Sequence, residues 1–214
     1  HGFTVELRAT QGAAENLALL QAPDSGVDIA FVQGGTRQRA PGSAASNDVA
    51  DDPDGLVSLG SMFHEPVWLF YRSASAQRLA KTPTLTRLAQ LAGGTLNVGA
   101  PGSGAPPLVQ ALLDANHIAP GTITLQQLPT TPAVVDLLAG KIDALVLASA
   151  PESLMVQMLL QTPGIQLFDF AQAEAYSRRF AFLSPVLLPR GVVDLSRDLP
   201  ATDVRLVAPT AALV

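Results

Sequence analysis

The chain has 214 residues and a formal net charge of −5, and 48% of its residues are hydrophobic while 14% are charged. This composition can fill a core and excludes a disordered tail, and the absence of cysteine excludes disulfides, thiol catalysis and the usual zinc cages. The densest basic cluster is the pair Arg178-Arg179, so the chain lacks the concentrated positive face that nucleic acids or an anionic membrane surface require.

The first part of the chain is predicted to form strands and helices around a long loop. Thr4–Thr10 alternates apolar and polar residues with the period of a half-buried strand, and Ala13–Leu20 is rich in helix-favouring residues. Val27–Val32 is a nearly continuous apolar strand. Gln33–Asp54 is rich in Gly, Pro, Ser, Asn and Asp, which predicts a long surface loop. Two strands and a short helix complete this part: Leu56–Ser61, Val67–Arg72 and Thr84–Leu91.

From residue 95 onward, short apolar strands alternate with helices. The predicted strands are Thr95–Ala100, Ile123–Leu128, Ile142–Ala148, Ile165–Phe170, Pro185–Leu188 and Val204–Ala208. The predicted helices are Pro106–His117, Thr131–Ala139, Pro151–Leu160 and Ala171–Phe180. This alternation predicts an α/β fold whose sheets are mainly parallel and covered by helices. No apolar run approaches the roughly 20 residues of a membrane-spanning helix, and we expect any export signal to have been removed.

The glycine-rich segment Gly99–Gly104 lies between a predicted strand and a predicted helix, where backbone N–H groups favour an anion. A phosphate-binding P-loop needs Lys and then Ser or Thr after its last Gly, and here Ala105-Pro106 follow. A dinucleotide-binding loop needs Gly where Pro107 stands, and a nucleophile elbow around Ser103 needs Gly where Pro101 stands. The segment therefore predicts either an anion site without enzymatic chemistry or a tight turn without a ligand.

Metal or acid–base chemistry would have to rest on His64 and Glu65, because His1 opens the chain and His117 lies at a predicted helix end. Adjacent side chains on an extended backbone point in different directions, so these two do not form a metal pair. His64 is then either part of a cleft wall or a solvated turn residue. We expect no metal, no cofactor and no catalytic residue.

Small neutral polar side chains follow three predicted strands: Gln33, next to Gly34, and then Ser103 and Ser149. Ligands of open α/β sheets bind at the carboxyl ends of the strands. A set of such side chains without a reactive group predicts a site that binds without reacting, although each of them alone is also compatible with ordinary loop polarity.

Several segments, in this order, resemble the TAXI-type solute receptors of TRAP transporters. They are HGFTVELRATQGAAENLALL, VDIAFVQGG, LGSMFHEPVWLFYR, LNVGAPGSGAPPLVQALL and IDALVLASAP, with the tail AYSRRFAFLSPVLLPRGVVDL and DVRLVAPTAALV. The resemblance implies a type II periplasmic-binding-protein fold, in which two α/β lobes hold a ligand between them. It implies that residues 1–72 and 188–214 form lobe one, residues 73–94 a crossover and residues 95–187 lobe two.

The resemblance also implies an extracytoplasmic receptor that captures a small carboxylate-bearing solute, of the glutamate, glutamine or 2-oxoglutarate type, for a membrane permease. Backbone N–H groups of Ser103, Gly104 and Ala105 would receive the carboxylate, and Gln33 would bond polar atoms from the other lobe. The ligand-binding residues implied are Gln33, Gly34, Phe63, His64, Glu65, Gly102, Ser103, Gly104, Ala105 and Ser149.

Two departures from the family pattern affect these expectations. Ala105 stands where the family usually has threonine, which removes one side-chain hydrogen bond to the ligand. Family members also have a further strand, turn and helix before the segment that opens this sequence, and they continue past Val214. We therefore expect a partial receptor whose lobe one lacks a strand, unless further sequence or another chain supplies it. Some relatives carry membrane-spanning segments, so a tethered parent protein is an open alternative.

Two other functions share this architecture. One is the effector-binding domain of a transcription regulator, which would follow basic DNA-binding helices. The other is an enzyme on the same fold, in which His64 and Glu65 would be the reactive side chains.

Overall fold

The computed structural model of the chain describes residue 2, residues 4–36 and residues 55–214. The predicted loop Gln33–Asp54 therefore lies largely outside the described residues, as does His1. The α-helices are α1 (Ala13–Gln21), α2 (Ser73–Ala80), α3 (Ala105–Ala115), α4 (Thr130–Leu138), α5 (Leu154–Gln161) and α6 (Ala173–Arg179). The strands are β1 (Phe31–Gln33), β2 (Gly60–His64), β3 (Val67–Arg72), β4 (Thr95–Asn97), β5 (Thr124–Gln126), β6 (Ala144–Ala148), β7 (Ile165–Leu167), β8 (Leu183–Leu188) and β9 (Val204–Leu213).

The larger lobe is built on a five-stranded sheet with the strand order β5-β4-β6-β3-β7. β4 runs parallel to β5 and β6, whereas β3 runs antiparallel to β6 and β7. The strand β3 is buried on both faces: Val67, Leu69 and Tyr71 belong to one hydrophobic core, and Trp68 and Phe70 belong to the other. Successive side chains of a strand point to opposite faces, so this one apolar run organises two cores.

The smaller lobe is a thin antiparallel layer in which the second half of β9 lies between β1 and β2. The first half of β9 pairs with β8 and packs in the cores of the larger lobe. Both hydrophobic cores are drawn from residues 67–207, and α1 buries no residue fully. Large apolar side chains of this lobe are exposed instead: Val5, Leu7, Ile29, Phe31, Val57, Leu59, Met62 and Phe63. The larger lobe therefore contributes most of the apolar burial in the described structure.

The two-lobed α/β fold class expected from the sequence is confirmed, with mixed sheets in place of mainly parallel ones. The pairing of β3 with β6 explains the difference, because the chain enters the larger sheet in the opposite direction to β4 and β6. No helix within the described ranges is long and apolar enough to cross a membrane.

The predicted strand Thr4–Thr10 does not form. The segment has no regular secondary structure, and Val5 and Leu7 are 67% and 91% exposed. An alternating pattern creates a strand only where a neighbouring strand completes the hydrogen bonds, and no described strand pairs with this segment. Of the predicted strand Val27–Val32, only the end forms part of β1. The predicted strand Leu56–Ser61 is replaced by β2, which begins four residues later.

The helical prediction fails in one region of the larger lobe, between β3 and β4. The sequence predicted a helix at Thr84–Leu91, whereas the structure has α2 at Ser73–Ala80 and only a 3-10 helix at Leu88–Leu91. The side-chain oxygen Oε1 of Gln90 accepts hydrogen bonds from the backbone N–H groups of Thr86 and Arg87, which holds the chain in a turn ahead of that short helix. α2 was not predicted from the sequence, because only Ser75 and Ala76 are fully buried in this helix and its sequence has no stripe of large apolar residues.

The sheet pairings also bear on the predicted lobe boundaries. Val67–Arg72 was assigned to lobe one, but it pairs within the sheet of the larger lobe. Leu188 and Leu206, also assigned to lobe one, pack in the same core as Trp68. We infer that the crossings between the lobes lie near Pro66 and near Pro209.

Candidate functional site

A cavity of about 440 Å³ lies between the two lobes. Four helices begin at its wall, and the residues at their N-termini line it: Gly12 and Ala13 of α1, Gly104 and Ala105 of α3, Pro129 and Thr130 of α4, and Ser153 of α5. Helix N-termini carry a partial positive charge and unpaired N–H groups. The helix ends therefore place partial positive charge at the cavity wall, and no described residue that lines it is Lys, Arg or His.

The loop before α3 limits which of its donors are free. Gly99 and Gly102 have φ angles of 94° and 84°, a backbone region that favours glycine and lets the loop turn sharply. The backbone N–H and the hydroxyl of Ser103 both donate to Ala100 O, at 3.2 and 2.7 Å. The backbone N–H of Ser103, which was expected from the sequence to donate to the ligand, is therefore paired within the loop in this structure.

Two adjacent prolines narrow the choice of donors further. Pro106 and Pro107 occupy the first turn of α3 and have no N–H. The N–H groups of Gly104 and Ala105 have no recorded backbone acceptor in the described structure. These two N–H groups are the donors that α3 offers to an anion.

The side chain of Gln33 reaches across from the smaller lobe and packs on Gly104. A Cβ atom added to Gly104 would lie 1.8 Å from Gln33 Oε1 and 2.8 Å from its Cδ. Gln33 is only 5% exposed, and its Nε2 is a buried donor without a hydrogen-bond partner among the described residues. Buried amide groups are normally hydrogen-bonded, so an acceptor from a ligand would complete this site.

A tight turn after β1 holds Gln33 in this place. The hydroxyl of Thr36 donates to Gln33 O at 2.6 Å, and Gly34 N donates to Thr210 O at 2.8 Å. Gly34 and Gly35 pack directly on the ring of Phe182, where an added Cβ would lie 2.8 and 2.5 Å from its atoms. The glycines fix the turn, and the turn directs Gln33 into the cavity.

The lobes also meet through the loop before α3. Gly102 O accepts hydrogen bonds from the backbone N–H groups of Ala14 and Glu15, both at 3.0 Å. These are orphan donors of the first turn of α1, so a carbonyl of the larger lobe caps a helix of the smaller one. The contact joins the two lobes at the edge of the cavity.

On the far side of the cavity, Asn97 fixes the start of α4. Its Oδ1 accepts from Leu128 N at 2.7 Å, and its Nδ2 donates to Leu128 O at 3.3 Å. Asn97 is fully buried and lines the cavity. The amide therefore pairs with both backbone groups of the residue that leads into Pro129 and Thr130.

We expect replacing Asn97 with alanine to lower both stability, by about 2 kcal/mol, and affinity for a ligand, because both polar groups of Leu128 lose their partner. Asn116 is a matched control, since its amide donates to Leu112 O and to the Tyr176 hydroxyl outside the cavity. Thermal unfolding and titration calorimetry of both variants check this. An Asn116→Ala variant that loses as much affinity as Asn97→Ala would contradict the positioning role.

Glu65 is the charged side chain among the described residues that line the cavity. Its backbone is fixed at the crossing between the lobes, where Glu65 N donates to Pro209 O at 3.0 Å. Its carboxyl group has no hydrogen bond or ion pair in the described part of the chain, and burial raises the pKa of this carboxyl above its usual range. The neighbouring strand end is also fixed, since Trp68 Nε1 donates to Ser149 O at 2.9 Å.

The structure brings together six of the residues expected from the sequence. Gln33, Glu65, Ser103, Gly104, Ala105 and Ser149 all line the cavity. The other four lie elsewhere. Gly34 packs on Phe182, and the carbonyl of Gly102 caps α1. Phe63 is half exposed, and its ring centroid lies 6.1 Å from that of Phe31. His64 is exposed, and its Nδ1 lies 3.4 Å from Thr210 Oγ1. His64 and Glu65 do not converge on one point of the cavity, as expected for neighbours in an extended segment.

Several lining residues were missed by sequence reasoning. They are Gln11, Gly12, Ala13, Asn97, Leu128, Pro129, Thr130 and Ser153. Thr130 could have been found, because Leu128-Pro129-Thr130 joins a predicted strand to a predicted helix just as Gly99–Gly104 does.

Within the described ranges, no group of three or more His, Cys, Asp or Glu residues is placed to hold a metal. The arrangement can therefore bind an anionic group through neutral donors.

Comparisons with known proteins bear on the family. The model of the NMT1-like family matches residues 1–212, whereas no curated protein matches the chain at a significant level. The alkanesulfonate-binding protein SsuA from Xanthomonas axonopodis pv. citri bound to MOPS is similar, with 16% identity and a TM-score of 0.47 over 80% of this chain and 56% of that one.

Two further solved structures are similar. The Synechocystis PCC6803 CcmR regulatory domain in complex with 2-PG has 12% identity and a TM-score of 0.47 over 93% of this chain and 70% of that one. The ABC transporter or periplasmic binding protein from Brucella ovis with glutathione bound has 14% identity and a TM-score of 0.43 over 77% and 38%. The chain spans less than half of other matching binding proteins, 42% and 45% in two cases.

Proposed function

The chain belongs to the NMT1-like family, and from this membership and the geometry of its cleft we propose that it is a solute-binding receptor. It captures a small carboxylate-bearing solute, of the glutamate, glutamine or 2-oxoglutarate type, between its two lobes. The observation that carries the proposal is the buried Nε2 of Gln33 beside the N-terminus of α3, which has no hydrogen-bond partner in the part of the chain that the structure describes.

The donors fit a carboxylate. The free N–H groups of Gly104 and Ala105 and the amide of Gln33 come from both lobes and surround one cavity. Hydrogen bonds to a charged acceptor contribute about 1.5–3 kcal/mol each, so a few of them suffice for a tightly held small anion. Because Gln33 comes from one lobe and α3 from the other, a bound carboxylate would favour the closed arrangement.

Binding without turnover is the activity that these side chains support. The hydroxyl of Ser103 donates to Ala100 O, and no described lining residue is a histidine or lysine that could act as its base. The resemblance of several segments to TAXI-type receptors supports an extracytoplasmic location and a TRAP-type permease as the membrane partner, which would recognise the closed form.

Thermal unfolding in the presence of glutamate, glutamine or 2-oxoglutarate tests the proposal. A ligand at 100 times its dissociation constant stabilises the native state by about 2.7 kcal/mol, which raises Tm by roughly 5–10 °C in a chain of this size. We expect at least one of the acids to do so, and glucose at the same concentration to have no effect. A Tm that none of the three acids changes would contradict the proposal.

A further inference from the structure

Glu65 lines the cavity but cannot contribute to binding the carboxylate of the proposed solute. The solute carboxylate needs donors, and α3 and Gln33 supply them, whereas a carboxylate at position 65 can only accept when it is ionised. The cavity therefore combines a region that attracts negative charge with one acidic side chain. A solute that satisfies both carries an anionic and a cationic group.

Nothing in the described structure neutralises Glu65. Among the described residues, its carboxyl group has no Lys, Arg or His partner, and none of those that line the cavity wall around it is charged. Its chain neighbour His64 has Nδ1 near Thr210 Oγ1, and Oε2 of Glu15, in the first turn of α1, accepts from Gln11 N. Removing a carboxylate from water without a partner costs free energy, so a partner supplied by the ligand would stabilise the ionised form.

Glu65 also cannot move away from the cavity easily. Its backbone N–H is held by Pro209 O, and the next residue is Pro66, whose carbonyl accepts from Ser149 N at 3.3 Å. The side chain thus leaves from a fixed point at the crossing between the lobes. The Glu65 carboxylate is therefore held where it can contact a solute in the cavity.

We propose that Glu65 is the specificity-determining residue of this cleft, with its carboxylate accepting hydrogen bonds from a primary ammonium group, so that the receptor takes amino acids in preference to the corresponding 2-oxo acids. The inference rests on the proposed function, because it assumes that the carboxylate of the same solute is bound by α3 and Gln33. A 2-oxo acid places a carbonyl oxygen where the ammonium would lie, so that two hydrogen-bond acceptors, this oxygen and the Glu65 carboxylate, face each other without a hydrogen between them. Sites built for a hydrogen-bonding group discriminate strongly against analogues that lack it.

Glutamate and 2-oxoglutarate form the matched ligand pair for the test, and Glu65→Gln is the nearly isosteric variant. We expect the wild-type chain to bind glutamate about 100-fold more tightly than 2-oxoglutarate, and Glu65→Gln to bind the two within about fivefold, through a loss for glutamate alone. Glu152→Gln removes the same charge from an exposed position near Ser153 and should leave the ratio unchanged. Titration calorimetry measures all six affinities.

The stability of the empty protein separates a structural role from a specificity role. Glu65→Gln replaces a half-buried carboxyl that has no partner among the described residues with an amide, so we expect the unliganded variant to unfold at the same Tm as the wild type or higher. Equal affinity of the wild type for the two acids, or an equal loss of both in Glu65→Gln, would overturn this inference and leave the proposed function intact. A wild-type chain that binds none of glutamate, glutamine and 2-oxoglutarate would overturn both.

Discussion

Replacing Gly104 with alanine is expected to weaken binding of the solute by about 10- to 100-fold, the equivalent of one hydrogen bond to a charged group. The new Cβ would lie 1.8 Å from Gln33 Oε1 and 3.2 Å from Gln33 Cβ, so the whole side chain must leave its place. The backbone of Gly104 has φ −78° and ψ −11°, which alanine adopts readily. The variant should therefore fold normally and lose affinity, as calorimetric titration and thermal unfolding would show.

A double-mutant cycle isolates the cause of that loss. Gln33→Ala removes the side chain that Gly104→Ala would displace, so the second substitution should add little once the first is present. We expect Gln33→Ala and the double variant to bind with the same reduced affinity. Additive losses, or wild-type affinity in Gly104→Ala, would show that the contact between Gln33 and Gly104 does not shape the site.

Replacing Asp143 with alanine is expected to lower the free energy of unfolding by about 3 kcal/mol. Its Oδ1 accepts from the Ser75 hydroxyl at 2.6 Å and its Oδ2 accepts from Thr95 N at 2.8 Å, which joins α2, β4 and β6. Ser75 is 2% exposed, so its hydroxyl would lose its partner in a buried place. Arg78 adds less, because its side chain is 58% exposed and solvent screens the ion pair.

A surface ion pair provides the control for Asp143. Asp136 and Lys141 approach to 2.9 Å, with the lysine side chain 68% exposed. Asp136→Ala should cost less than about 1 kcal/mol in denaturant unfolding. If the two variants are destabilised equally, the buried network around Asp143 does not have the structural role assigned to it here.

Acid sensitivity follows from the same network. Burial raises the pKa of Asp143, but hydrogen bonds from Ser75, Arg78 and Thr95 outweigh it and hold the pKa below its usual range. A carboxyl with a lower pKa in the folded state stabilises the protein above its unfolded pKa of about 3.9, and this stability is lost as pH falls through the folded pKa. Asp143→Asn should therefore lose less stability than the wild type between about pH 5 and pH 2. If the free energy of unfolding of Asp143→Asn falls with pH as steeply as that of the wild type over this range, the lowered pKa of Asp143 does not contribute to acid sensitivity.

The larger lobe could be predicted from sequence because its signals are local. The apolar runs of β3 and β6 and the breaks at Gly and Pro mark strands and helices without reference to distant residues. Strand direction is different, since nothing in the run Val67–Arg72 shows that it pairs antiparallel with Ala144–Ala148. Thr4–Thr10 has a strand pattern and still forms no strand, because its hydrogen bonds depend on a neighbour.

The candidate site was predictable to the extent that strand ends define it. Gln33 ends β1, Ser149 follows β6, and both line the cavity together with Gly99, Ala100, Ser103 and Gly104 of the segment before α3. Gln11 and Asn97 could not be found in this way, because only the docking of the lobes and the pairing with Leu128 place them there. The engagement of Ser103 with Ala100 O also depends on the exact turn of the loop, which the amino-acid sequence leaves open.

The decisive measurement is a crystal structure of the chain grown with whichever acid stabilises it most. We expect a carboxylate within hydrogen-bond distance of the backbone N–H groups of Gly104 and Ala105, with Gln33 Nε2 donating to the same molecule. An empty cleft at a saturating concentration of that acid, or the acid bound outside the cavity between the lobes, would contradict it.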